Sequence, residues 1–315
     1  MVAERIPGYS LLERLGEGGM GQVWRARRLE DGADVAVKLL PAALHDDRTV
    51  RGLFLREAIL LSTLRHPNVC RLVDSGETEG GRFFFATELV RGRTVAQALI
   101  RGALPVRRAL DVAAQTARAL EAAHDRSIVH RDIKPANIML AGDRVKVLDF
   151  GVAHLLSADD VGCAGTVYGT TAYAAPEHLA GLECDHRADL WSLGVVLWEM
   201  LTAQAPFAGG DPARVAQRVL DHDVPALADR YEGFTDGGPF VAVDGVLRRT
   251  LVKDPERRFP TAGEAAVALE RALEGLPPDA PERLIERPEP EAGSGGGTTP
   301  ARAGVLGRLV GWLRR

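Results

Sequence analysis

The chain has 315 residues, enough for one large or two modest domains. It carries 43 acidic and 39 basic side chains, a net charge of −4, and so offers no basic field of the kind that non-specific nucleic-acid binding needs. Apolar residues make up 46% and charged residues 26%, a balance that fits a folded globular protein and excludes a disordered one.

In chain order, residues 9–15, 23–28, 35–40 and 83–89 are short apolar or alternating runs bounded by Gly and Asp turns, and they read as strands. Residues 48–64 repeat Leu53, Ile59 or Leu60, and Leu64 at helical spacing with no proline. From Pro105 onward the pattern is helical: Leu110, Ala113, Ala117 and Leu120 form one stripe, and 188–202, 212–221, 240–252 and 261–274 add further helices. The predicted architecture is α+β and bilobal. A small β-rich N-lobe with one helix covers about residues 9–91, a larger and mainly helical C-lobe covers about 92–274, and the seam lies near Arg91 and Gly92. With only 9 Phe, 4 Tyr and 4 Trp, the cores must be packed mainly with Leu, Val and Ala. Residues 275–304 are rich in Gly and Pro and short of large apolar groups, which predicts a disordered linker. The tail 305–315 is apolar and basic; Leu306, Leu309, Val310 and Leu313 share a helical face beside Arg308, Arg314 and Arg315. Such a segment can rest on an anionic membrane, but Gly307 and Gly311 weaken the helix and favour a solvated end.

Cys70, Cys163 and Cys184 are odd in number and share no short metal-ligand spacing, so neither a disulfide framework nor a zinc site is indicated. Residues 1–10 contain no apolar h-region, and the most apolar window, 190–201, is too short for a membrane span and suits a buried core helix. The expected location is cytoplasmic.

Four separated motifs carry chemistry. G-E-G-G-M-G-Q-V places Gly16, Gly18 and Gly21 in a G-x-G-x-x-G-x-V pattern, where missing Cβ atoms let backbone N–H groups approach phosphate oxygens. A dinucleotide-binding turn or a plain hairpin shows the same pattern, although residues 23–28 that follow read as a strand and not a helix. V-A-V-K ends an apolar strand on Lys38, which either snorkels to solvent or serves as a phosphate ligand held by a carboxylate. Glu57 on the following helix is the candidate partner. I-V-H-R-D-I-K-P-A-N-I-M-L gathers Asp132, Lys134 and Asn137 between apolar runs, where donors go unpaired unless they serve one another or a ligand. V-K-V-L-D-F-G sets Asp149 at a strand end, where a carboxylate suits Mg²⁺, which takes one or two carboxylates plus substrate phosphates; an ordinary turn is the alternative.

In this order and at these approximate spacings, the motifs resemble the signature set of the eukaryotic-like serine/threonine protein kinases, most closely the bacterial members. The resemblance covers about residues 9–273 and implies a protein-kinase-like fold with residues 1–274 as the kinase domain. It further implies ATP and Mg²⁺ as cofactors and transfer of the γ-phosphate to Ser or Thr hydroxyls of protein substrates. The loop with Leu15, Gly16, Gly18 and Gly21 would cover the ATP phosphates, and Lys38, held by Glu57, would grip the α- and β-phosphates. Val23, Ala36 and Met139 would enclose the adenine, Glu88 and Val90 would offer it backbone hydrogen bonds from a hinge, and Thr87 would be a small gatekeeper. Asp132 would orient the acceptor hydroxyl, Lys134 would contact the γ-phosphate, and Asn137 and Asp149 would hold Mg²⁺.

Residues 169–177 resemble the end of an activation segment, with Thr170 beside Asp132 and Lys134. Asp189 resembles the buried aspartate that fastens the catalytic loop, and Arg258 the arginine that pairs with Glu177. Arg131 marks the subclass whose activation segment is ordered by phosphorylation, here at Thr166 or a neighbour such as Thr171. Members of that subclass often autophosphorylate in trans, which implies a transient homodimer. Position 136 is Ala where many basophilic relatives carry Glu, which predicts weak preference for a basic residue at that subsite. A pseudokinase scaffold or a nucleotide sensor is the alternative; the set Lys38, Glu57, Asp132, Asn137 and Asp149 argues for the active enzyme. The Ala-Pro-Glu segment, Thr170 and Arg258 argue for polypeptide acceptors over small molecules.

Overall fold

Alternating apolar residues near the N-terminus pair into five antiparallel strands. The computed structural model describes residues 5–18, 21–41, 48–150, 171–207, 209–234 and 237–286. In it the strands are β1 (Tyr9–Gly18), β2 (Gly21–Arg28), β3 (Asp34–Leu39), β4 (Leu72–Glu77) and β5 (Phe83–Glu88), in the order β1-β2-β3-β5-β4. Between β3 and β4 runs the helix α1 (Arg48–Thr63). Val35, Val37 and Leu39 turn to one face and are buried with Ile6, Tyr9, Phe84 and Ala86. Period-two alternation therefore sends Ala36 and Lys38 to the opposite face. Phe83 and Phe85 lie against α1, where Phe54 stacks on Phe83 with ring centroids 4.5 Å apart. The strand β4 escaped the sequence pattern. It is a polar edge strand, and its register shifts between Leu72 and Asp74, so no clean alternation marks it.

After the seam come β6 (Arg93–Thr94), α2 (Val95–Leu99), α3 (Val106–His124), β7 (Ile138–Ala141) and β8 (Arg144–Val147), with β6, β7 and β8 forming a second small sheet. The helices α4 (Pro176–Leu179), α5 (Arg187–Thr202), α6 (Pro212–Asp221), α7 (Val241–Thr250) and α8 (Ala262–Glu274) complete the larger lobe. The apolar stripe of α3 is buried, and α5 is buried almost all round, as its composition requires. Gly194 lets α5 approach α7, since a Cβ there would lie 2.6 Å from the Thr250 hydroxyl. Among the described residues, no helix is long and apolar enough to cross a membrane.

Residues 275–286, expected to begin a disordered linker, instead run back over the larger lobe. Val106 N–H donates to the Glu282 carbonyl (2.7 Å), Glu232 N–H to the Ile285 carbonyl (3.0 Å), and Tyr231 pairs with Glu286 in an isolated bridge. Arg107 donates to the carbonyls of Leu276 and Pro277, and Leu276 is buried. The prolines that suggested disorder here stiffen an extended strap whose backbone groups find partners on the lobe. The rest of the expected linker and the basic tail lie outside the described residues.

Candidate active site

The upper wall of the site is built by strand register. The β1–β2 hairpin closes with Gly18 opposite Gly21, and Gly16 sits opposite Val23. Gly21 has φ +107°, and a Cβ there would fall 1.9 Å from the Leu39 carbonyl oxygen, so only glycine lets the hairpin lie this close to β3. Leu15 lies half-exposed where the register slips between Arg14 and Gly16. Val23 faces Lys38, and Ala36 faces Thr87, whose hydroxyl donates to the Ala36 carbonyl at 3.5 Å. Directly opposed residues share a face, so Val23, Ala36, Lys38 and Thr87 line one side of the sheet.

The hinge and its floor follow. Glu88 ends β5, and its carboxylate accepts from Lys146 Nζ (2.7 Å) and from Arg71 N–H (2.9 Å). Burial pushes this carboxyl up, Lys146 and Arg71 outweigh it, and the net shift is below the usual value of 4.5. Met139 on β7 is paired with Thr94 on one side and Lys146 on the other. Val90 lies partly buried between β5 and β6. Sequence reasoning put the seam at Arg91 and Gly92 but gave no reason for a glycine there. A Cβ there would sit 2.1 Å from the Leu140 carbonyl oxygen, so the connection between lobes crosses β7 only because residue 92 has no side chain.

Asp189, on the first turn of α5 and fully buried, organises the lower wall. Its carboxylate accepts from the backbone N–H groups of His130 and Arg131 and from His124 Nε2, each at 2.8 Å. Burial pushes Asp189 up, His124 and the other donors pull it down further, and the net shift is below 3.8. The clamp holds Arg131 at φ +64°, a left-handed conformation that costs about 1–3 kcal/mol. His130 Nε2 lies 2.8 Å from the Leu148 carbonyl, while its Nδ1 accepts from Asp132 N–H at 3.2 Å. The neutral ring protonated on Nε2 satisfies both contacts. His130 also packs on Phe150, ring centroids 4.6 Å apart.

The reactive cluster hangs on this frame. Asp132 is 4% exposed. Its Oδ2 accepts from Lys134 Nζ (2.8 Å) and Asn137 Nδ2 (2.9 Å), and its Oδ1 is buried with no partner among the described residues. Asn137 also donates to the Asp132 carbonyl (2.8 Å), and its own carbonyl accepts from Leu148 N–H (2.9 Å), next to Asp149. Asp149, at φ +57°, accepts from Lys38 Nζ at 2.8 Å and joins the two walls. Burial pushes its carboxyl up; the adjacent ammonium of Lys38 more than reverses this and holds it below 3.8. The Glu57 side chain, the expected partner of Lys38, lies outside the described residues, as do Thr170, Thr166 and Gly169.

Further along, Arg258 and Glu177 form a bidentate buried pair at 2.6 and 2.7 Å, with Arg258 also donating to the Val252, Lys253 and Arg187 carbonyls. Thr171 is 5% exposed, and its Oγ1 is buried with no partner among the described residues.

Residues 9–265 match the model of the protein kinase domain. The chain belongs to the protein kinase family. Among its relatives is the serine/threonine-protein kinase PknJ of Mycobacterium tuberculosis, 42% identical over 275 residues, which are 85% of this chain and 46% of the relative. PknB of the same organism, also named a serine/threonine-protein kinase, is 40% identical over 286 residues, 88% of this chain and 45% of the relative. The chain thus spans less than half the length of these curated relatives. The crystal structure of the PknI kinase domain from M. tuberculosis superimposes with a TM-score of 0.67 at 28% identity, covering 86% of this chain and 97% of that one. The bilobal kinase fold, with its β-rich smaller lobe and helical larger lobe, is therefore the fold of this chain.

Proposed function

We propose that the chain is an ATP-dependent serine/threonine protein kinase that transfers the γ-phosphoryl group to Ser or Thr hydroxyls of proteins. The observation that carries this is the buried Asp132 carboxylate, fixed on one oxygen by Lys134 and Asn137 and without a partner on the other among the described residues. A buried carboxylate oxygen with no donor is costly unless a ligand supplies one, and an acceptor hydroxyl does so. Asp132 then orients that hydroxyl and receives its proton, while Lys134, already 2.8 Å from Asp132, sets a positive charge where the transferred group passes. The transition state is loose, so alignment and charge neutralisation do most of the chemistry.

The donor set also fits Mg²⁺. The Asp149 carboxylate and the Asn137 side-chain oxygen, whose amide nitrogen is committed to Asp132, are the hard oxygen ligands such an ion takes beside phosphate oxygens. When bound, it would neutralise charge on the β- and γ-phosphates. Lys38 would hold the phosphates, Val23 and Ala36 on one side and Met139 on the other would enclose the base, and Glu88 and Val90 would offer it hinge backbone. Protein acceptors, a cytoplasmic setting and a transient pair of copies for autophosphorylation in trans belong to the same proposal.

The test is phosphosite mapping by mass spectrometry after incubation with Mg²⁺ and ATP. Wild type is expected to accumulate phosphate on Ser and Thr of casein and between residues 149 and 177 of its own chain. Asp132→Asn should transfer about 10²–10⁴-fold more slowly. Equal labelling by the two proteins would reject the assignment of Asp132.

A further inference from the structure

The strap of residues 275–286 borders a cavity of about 340 Å³ between itself and the loop that leads into α7. Phe240, Pro277, Pro281 and Ile285 give it an apolar wall. These parts are held in place within the lobe. Glu232 N–H donates to the Ile285 carbonyl, Phe234 packs on Phe240 with ring centroids 5.3 Å apart, and a Cβ on Gly233 would lie 2.8 Å from the Phe240 ring. A volume near the lower end of about 300–1,000 Å³ suits one large side chain. Ile285 meanwhile stays 49% exposed, an apolar surface that an occupant would take out of water.

The rim is acidic. Glu232 and Asp279 line the opening as exposed carboxylates with no ion-pair partner among the described residues, and Glu282 and Glu286 are exposed on the same strap. The cations nearby in the chain are Arg230, which lies over the Tyr231 ring, and Arg283. One segment of the same chain answers both the apolar wall and the charge. Residues 305–315 carry Trp312 among Leu and Val, with Arg308, Arg314 and Arg315 and no acid. The described residues reach Glu286, next to Ile285, and Trp312 comes 26 residues later. A Gly-rich stretch of that length spans about 25–30 Å on average, enough to loop back to a cavity beside its own root, and the tether sets a local concentration on the order of millimolar.

We propose that residues 305–315 dock on this cavity of their own chain, with the Trp312 indole against Phe240, Pro277 and Ile285 and the arginines beside Glu232 and Asp279. An indole buries a large area while freezing few rotors, and guanidinium groups pair with carboxylates through fixed, charge-assisted hydrogen bonds. The tail's sequence taken alone favours a solvated end; the cavity supplies the surface that the tail lacks.

Shielding of Trp312 in the full chain tests it, read as acrylamide quenching of the wild-type fluorescence after subtraction of the Trp312→Phe signal. The Trp312 contribution is expected to quench about threefold less steeply than free N-acetyltryptophanamide, and equally so over a dilution of about a hundredfold, because a tethered segment does not feel the total concentration. Glu232→Lys combined with Asp279→Lys should abolish the shielding, and adding Arg314→Glu and Arg315→Glu should restore it. Ile285→Asp, at a half-exposed position of the wall, should abolish it too and serves if the lysine variant does not fold. Trp312 that quenches like the free amide in wild type, or shielding that survives these variants, overturns the proposal. So does shielding that fades on dilution, which would assign the tail to a second copy. Shielding that appears only with phosphatidylserine vesicles also overturns it and would assign the tail to a membrane surface.

Discussion

Asp189 holds three donors on one buried carboxylate, and two of them are backbone N–H groups of the loop that carries Asp132. Its carboxyl lies below 3.8 in the folded protein, so it contributes stability that is fully present above that value and is lost as the pH falls through the lower folded value. Asp189→Asn puts an amide nitrogen where a donor already points, and is expected to lower stability at pH 7 by about 1–3 kcal/mol. It should also flatten the acid side of the stability profile, read by denaturant melts at a series of pH values. A variant that keeps the wild-type profile would show that the clamp is not electrostatic. At this scale Lys38, Asp132, Asn137 and Asp149 were legible as polar side chains set at the ends of or between apolar runs, whereas Asp189 and the Glu177–Arg258 pair were legible only through the family resemblance. His124 was not, because a histidine near the end of an amphipathic helix reads as solvated until the fold brings Asp189, 65 residues on, against it. Nor was the Glu88–Lys146 pair, since each residue lies in a stretch singled out for other reasons and nothing in sequence sets one against the other.

Elements were legible in proportion to their periodicity. The helices α5, α6 and α8 and the strands β2, β3 and β5 follow their apolar patterns to within a residue or two. The edge strand β4 has no such pattern, and Gly92 gives no sign in sequence that a carbonyl lies where its Cβ would be. The strap of residues 275–286 was read as linker because Gly and Pro composition reports chain stiffness and apolar content, not whether a neighbouring surface has free backbone groups. Those groups exist at Val106 and Glu232. Ending the chain at Glu274 should therefore cost about 2–4 kcal/mol relative to ending it at Glu286, from the unburied Leu276 and the lost hydrogen bonds. Thermal melts of the two lengths compare them; identical midpoints would mean that the strap adds nothing to the fold.

At the scale of the whole molecule, ion pairs help to join the two lobes. Lys38 of the smaller lobe reaches Asp149 of the larger at 2.8 Å, and Glu88 at the hinge reaches Lys146. In both pairs a cation holds a carboxyl below its usual value against the effect of burial. The first pair is a pair in waiting: its ammonium suits phosphate oxygens and its carboxylate suits a divalent ion, so a magnesium nucleotide would occupy both partners at once. The most direct test is the linkage between Mg²⁺ and nucleotide, measured by titrating ATP calorimetrically with Mg²⁺ and with EDTA. Wild type should bind ATP at least tenfold more tightly with Mg²⁺, and Asp149→Asn should lose that gain while still binding nucleotide. An Asp149→Asn protein that keeps the full Mg²⁺ dependence, or a wild type that shows none, would contradict a site built around a magnesium nucleotide.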